Sequence, residues 1–215
     1  MKIPVFLPAI AAIFFGMTVP TTAEDPEDLR RLFETRDCDD CNLRGADLTG
    51  AVLPGADLED ADLSRAEIGS ANLRNADLQE ANLRQAWLNA TDFSGADLEK
   101  ADLRDADASY ADFSDATLRR TRLDGANLSH ANFRDANLTK ANLSYTDLSY
   151  ANLSGAKLQE IDLRNANLFG AVLVDADLNN AYLWQADFEE AILAGANLCE
   201  AVLPDGSISS QGCVD

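Results

Sequence analysis

The sequence predicts an all-β solenoid closed at its N-terminal end by a short helix. Three observations carry this reading. A central residue, Leu at most steps, recurs at every fifth position from 43 to 203, in 33 consecutive steps without a register shift. Two residues earlier stands Ala, except at Cys41, Thr91, Thr121, Thr146 and Ile161. Between these two positions stands Asp or Asn in 23 of the 33 steps. Repetition at a fixed short period has to be read before local propensity.

A five-residue period fits neither regular element. On an α-helix five residues turn about 500°, so the Leu would drift about 140° per repeat and cover every side. On a flat strand an odd period sends each Leu to the opposite face. The chain must instead turn by a fixed angle at each repeat, so that every Leu and Ala points to one axis. Phe93, Phe113 and Phe133 lie 20 residues apart, as do the outward Tyr110, His130 and Tyr150, and the pair Arg84 and Arg104. These coincidences favour four repeats per coil.

The elements follow in chain order. Residues 1–23 open with Lys2, run apolar from Ile3 to Val19 and end Pro20-Thr21-Thr22-Ala23. This is the pattern of a secretory signal cleaved before Glu24. Pro4 and Pro8 interrupt the run, which is short for a membrane span. No Cys stands at the cleavage site and no twin Arg precedes the run, so neither a lipid anchor nor folded export is expected. Residues 24–40 form a helical cap. Asp25 is its N-cap, Pro26 its first residue, and Glu27 and Asp28 lie in the first turn. The helix is expected from about 26 to 36, with Leu29, Leu32 and Phe33 on one face toward the first coil. Residues 41–203 are the repeats, about eight coils, and Leu203-Pro204-Asp205-Gly206 ends them. Residues 204–215 are the C-terminal tail or cap, of which 207–215 are expected to fold back, because an uncovered end exposes strand edges.

Runs such as Ala46-Asp47-Leu48, Ala96-Asp97-Leu98 and Ala141-Asn142-Leu143 closely resemble the signature of the pentapeptide-repeat family. The resemblance covers residues 41–203. It implies a right-handed quadrilateral parallel β-helix, with short strands on the faces and turns at the corners. At about 4.8 Å per coil the rod would be about 40 Å long. Cys38 and Cys41 would then sit at one end, Cys199 and Cys213 at the other. Disulfide α-carbons lie within roughly 7 Å, so Cys38–Cys41 and Cys199–Cys213 are the intramolecular pairs expected. Cys38-x-x-Cys41 could instead be a redox motif, although its usual βαβ context is absent. The same separation excludes a four-Cys zinc site within one molecule. The acidic start before Cys-x-x-Cys, and Leu-Pro-Asp-Gly-Ser before a final Cys, look like exported members from photosynthetic bacteria. That implies the periplasm or the thylakoid lumen.

Inside the rod, Leu or Phe fills the axis and Ala the space beside it. The Phe93, Phe113 and Phe133 column needs extra volume, and Ala108, one repeat before Phe113, compensates. Ile161 predicts a local bulge or slight strain. Outward Asp and Asn suit turns, where their side chains bond local backbone. Asp92, Asp97, Asp102, Asp107 and Asp112 make one coil acidic all round, with Arg84, Arg104 and Lys100 as nearby neutralisers. That coil is either a cation or basic-partner site or ordinary repeat chemistry. The Gly-rich nonapeptides of calcium-binding β-rolls are absent, and no metal or cofactor is expected.

Two surfaces stand out. Tyr110, His130 and Tyr150 predict an exposed ladder, either a stabilising stack or a ligand or partner surface. Phe169, Val172, Val174, Tyr182, Trp184 and Ile192 make the last coils apolar outside, a patch covered by the tail or by a second copy in a homodimer. No catalytic arrangement is visible around His130, the single histidine. The net charge is −20, from 17 basic and 37 acidic residues, which disfavours nucleic acid and anionic membranes and favours basic partners. The expectation is a non-catalytic exported binding or scaffold protein that engages a protein partner through one face. The alternative is an acidic DNA mimic acting on a DNA-binding enzyme such as gyrase, a role some members of the resembled family fill.

Overall fold

A repeat without Pro has five backbone N–H groups to satisfy, and their partners define the fold. In a computed structural model, residues 25–213 are described. The expected signal segment, 1–23, lies outside the described residues. Residues 61–65 illustrate the pattern. Ala61 N–H closes a turn onto Leu58 O at 3.2 Å, and Asp62 N–H donates to Cys41 O of the preceding coil at 2.9 Å. Leu63 and Arg65 N–H donate to Asn82 O and Arg84 O of the following coil at 2.8 and 2.9 Å. Ser64 N–H donates to Asp62 Oδ1 at 3.0 Å.

That last bond explains the outward Asp and Asn. All 23 accept from the N–H two residues on. Val52 and Val202 cannot accept, and each is followed two residues later by Pro54 or Pro204, which has no N–H to satisfy. The last residue of every repeat up to Glu200 is left-handed, from φ 53° at Asn75 to 76° at Gly125. This is the second central position of a type II turn.

The parallel bridges, from Asp37 with Asp57 to Tyr182 with Val202, all join residues 20 apart. Four repeats therefore make one coil of a parallel β-helix. The ladder begins at Asp37, one repeat before the expected start at 41. Cys38 fills a buried central position there and Asp40 is left-handed, φ 58°. A search for Leu or Phe centres passes over this repeat because its centre is Cys.

The axis is filled as expected. Phe93, Phe113 and Phe133 stack with ring centroids 5.0 and 4.9 Å apart, and Ala108 is fully buried. Thr91, Thr121 and Thr146 hydroxyls donate to the carbonyls of Ile68, Leu98 and Leu143. The bulge expected at Ile161 is absent. Its N–H bonds Leu158 O at 3.2 Å and its carbonyl accepts from Tyr182 at 2.9 Å, so the ladder runs through unbroken.

The N-terminal helix α1 spans Pro26–Thr35. Asp25 caps it by accepting from Glu27 N–H, and Arg36 ends it in the left-handed region. Leu32 is buried and Leu29 half-buried, but Phe33 is 46% exposed. The expected three-residue apolar face is thus corrected to two, because Phe33 lies about 100° around the helix from Leu32. At the other end Ile208 pairs antiparallel with Val202. The tail is pinned by a Cys199–Cys213 disulfide, and Cys38 is joined to Cys41. Among the described residues, no helix is long and apolar enough to cross a membrane.

Candidate functional site

The 20-residue register sorts outward side chains onto four faces. The first face begins with residues 41–45, the second with 46–50, the third with 51–55 and the fourth with 56–60, each recurring every 20 residues. The aromatic ladder belongs to the second face. Tyr110 and His130 stack at 4.6 Å, His130 and Tyr150 at 5.1 Å, and Phe169 meets Tyr150 edge-on at 5.5 Å. Tyr110, His130 and Tyr150 are left-handed corner residues, so their rings project from the edge of the face. The next corner residue is Gly170, and a Cβ there would lie 2.8 Å from Tyr150 Cε1. The missing side chain is what lets the Tyr150 ring lie flat and reach Phe169.

Two residues that sequence reasoning missed join this surface. Trp87 is 63% exposed on the second face, and Tyr145, 70% exposed, stands at its corner with the first. The charge pattern is sharper still. Of the 17 Lys and Arg residues, Lys2, Arg30, Arg31 and Arg36 precede the repeats, and the other 13 all lie on the first, third and fourth faces. The second face instead carries Asp47, Glu67, Asp107, Asp147, Asp187, Glu189 and Glu190. Sorting the sequence by remainders of 20 would have found both features.

The patch expected on the last coils is not one surface. Phe169 lies on the second face, Val172, Val174 and Ile192 on the third, and Tyr182 and Trp184 on the first. The first and third faces are not adjacent, because successive outward positions advance by a quarter of a coil. Phe169, Val172 and Val174 are also half-buried, whereas Tyr182, Trp184 and Ile192 are exposed.

The acidic coil is repeat chemistry. Asp92, Asp97, Asp102, Asp107 and Asp112 each accept their own turn N–H. Arg104 binds Asp102 through two nitrogens, and Arg122 and Arg74 reach Asp102 and Asp92 at 3.6 Å. Lys100, expected as a neutraliser here, pairs with Glu80 instead. Burial pushes the Asp102 carboxyl up, but the hydrogen bonds and charge of Arg104 and Arg122 outweigh it and hold it below the usual range. Asp39, Asp40 and Asp60 bring carboxylate oxygens within 4.8 Å of one another. All three are exposed, and nothing else marks them as a metal site.

A family model described as pentapeptide repeats matches residues 41–79, 76–115, 111–149, 146–185 and 185–209. Among solved structures, the chain is similar to HetL of Nostoc sp. strain PCC 7120, a pentapeptide repeat protein involved in heterocyst differentiation regulation. The identity is 33% over 86% of this chain and 99% of that one, with a TM-score of 0.39. It is also similar to a pentapeptide repeat protein from the Arabidopsis thaliana thylakoid lumen, at 32% identity over 53% of this chain and 62% of that one, TM-score 0.30. The plasmid-mediated fluoroquinolone resistance protein QnrB1 aligns at 22% identity over 80% of this chain and 87% of that one, TM-score 0.42. No curated protein matches. With most of its length matched by the family model, the chain belongs to the pentapeptide-repeat family.

Proposed function

We propose that this protein is a non-catalytic exported binding module, a right-handed quadrilateral β-helix that engages a cationic protein partner through its second face. One observation carries the reading. The face that concentrates Trp87, Tyr110, His130, Tyr150 and Phe169 is the face from which every Lys and Arg is missing. Exposed aromatic rings flanked by carboxylates suit Lys and Arg side chains, through ring contact and ion pairing together. Export is supported by the pattern of residues 1–23 and by two disulfides, which persist in oxidising compartments. The periplasm or the thylakoid lumen is the compartment we infer.

Proximity labelling in the native host tests the face. A Tyr110→Ser, Tyr150→Ser double variant is expected to lose the neighbour labelled by the wild type, while an Arg119→Ser variant on the fourth face keeps it. Equal labelling by all three would overturn the reading. The intact mass of the native protein tests export, since a chain starting at Glu24 with two disulfides is expected.

The charge of −20 supports a second reading, an acidic mimic of duplex DNA acting on an enzyme such as gyrase. It requires a cytosolic protein. Gyrase supercoiling left unchanged by excess mature protein removes it.

A further inference from the structure

The two ends of the ladder differ in what they leave unpaired. Upstream, every central residue from Cys38 to Leu183 and every left-handed residue from Asp40 to Gln185 donates its N–H to a carbonyl 19 residues ahead. The last coil has no coil ahead of it. On two of its faces the tail substitutes: Leu198, Glu200 and Leu203 N–H donate to Gln211, Ser209 and Ser207 carbonyls at 3.0, 2.9 and 2.8 Å. In return Ser209 N–H and the Gln211 side chain donate to Ala201 O and Ala196 O. On the other two faces nothing substitutes. Phe188, Glu190, Leu193 and Gly195 N–H have no partner among the described residues. The inward Phe188 and Leu193 are only half-buried there.

We infer that this open edge, residues 186–195, is a docking site for an extended, basic segment of a partner polypeptide, which adds a strand to the last coil. The tail supplies the precedent. Between Ser207 and Gln211 it wraps around the corner at Cys199–Glu200 while keeping its hydrogen bonds, so a short extended segment can follow this edge. The chemistry follows from what surrounds it. Beyond Arg164 the chain has eight acidic residues and no Lys or Arg. Glu189 and Glu190 stand beside the unpaired N–H groups, and Ile192 adds an exposed apolar contact. Main-chain pairing gives such a site affinity, and alternate side chains give it choice of sequence. An edge of this kind otherwise invites association, and the local negative field selects the sign of what associates.

The inference rests on the proposed binding role only in that the partner is cationic; the edge shares Glu189 and Glu190 with the second face but not the Tyr110 and Tyr150 rings. The test uses isotope-labelled mature protein and an eight-residue peptide of alternating Lys and Val, read by amide hydrogen exchange. At about ten times its Kd the peptide is expected to slow exchange about tenfold at Phe188, Glu190, Leu193 and Gly195. A Glu and Val peptide should not. A Glu189→Lys, Glu190→Lys variant should reverse the preference; Lys100 and Lys140 already occupy equivalent left-handed corners. A Tyr110→Ser, Tyr150→Ser variant should keep the protection, so failure of the lateral face and failure of the end remain distinguishable. Equal protection by both peptides would overturn the inference. So would slow exchange of the four amides before peptide is added, or their protection through dimerisation measured by sedimentation.

Discussion

At the N-terminal end a ten-residue helix closes the rod, and Leu43, Leu48 and Leu53 of the first coil are at most 2% exposed. At the C-terminal end residues 207–213 fold back along the edge, Ile208 bridging Val202 antiparallel, and Phe188, Leu193 and Leu203 of the last coil stay half-exposed. The two caps solve different halves of one problem. A helix satisfies its own backbone and presents an apolar face, so it covers core well. It spends little on the edge: Asp25 N–H donates to Asn42 O, and Asp28 accepts from Asn42 N–H. A strand-like tail needs the edge for its own hydrogen bonds, and makes five of them. It brings little apolar area, since Ile208 is 64% exposed. Covering a solenoid end and pairing it are separable tasks.

The largest effect should come from breaking the cover. Leu32→Ala removes the one fully buried side chain of α1 and should cost about 2–5 kcal/mol, read as a lower urea midpoint. Phe33→Ala on the same helix should stay within about 0.5 kcal/mol. Breaking the pairing should follow. Cys199→Ser opens a loop of separation 14, worth about 3 kcal/mol by chain entropy. Exchange should quicken first at Leu198, Glu200 and Leu203, with the N-terminal coils unmoved. Between the ends, Ala108→Leu tests how closed the middle is, and overpacking should cost about 1–3 kcal/mol. Asp28→Ala leaves Asn42 N–H unpaired and should cost about 1 kcal/mol, visible in exchange at Asn42.

The smallest effect is a response of opposite sign to acid. Burial, with Asp40 and Asp57, raises the Asp39 carboxyl, and burial with Asp77 raises Glu59. A raised acid destabilises the fold while charged, so falling pH relieves the N-terminal end. The Ser207 hydroxyl and N–H lower Asp205. Its contribution is complete above the ordinary carboxylate pKa and is lost as pH falls through the lowered one. Local exchange rates compared between pH 6 and roughly pH 3.5 should slow near Asp39 relative to Asp205.

Much of this was legible because the repeat is strict. Period five and the spacing of Phe93, Phe113 and Phe133 gave four repeats per coil, and Asp25-Pro26-Glu27-Asp28 gave the start of α1. The left-handed corners were not legible. Gly, the residue that marks them, occupies few of these positions, and Tyr110, His130 and Arg120 carry positive φ as well. Their strain, about 1 kcal/mol or more each, is held by the ladder on both sides and leaves no local signal. The candidate site divided in the same way. The Tyr110, His130 and Tyr150 ladder could be read by counting twenties. The patch of Phe169, Val172, Val174, Tyr182, Trp184 and Ile192 was read from nearness along the chain, which hides a quarter turn per repeat; the same count by twenties divides it among three faces.

By itself, then, the sequence determined the period, the inward and outward positions, the helical start and the charge. These are properties of one repeat, written 33 times. The tertiary structure decided what depends on the coil above or below. It set which outward residues share a face, why Gly170 has no side chain, that Cys38 already belongs to the ladder, and that the last coil is paired on only two faces. Such contacts join residues 20 apart, and their energies belong to the stack rather than to any one repeat.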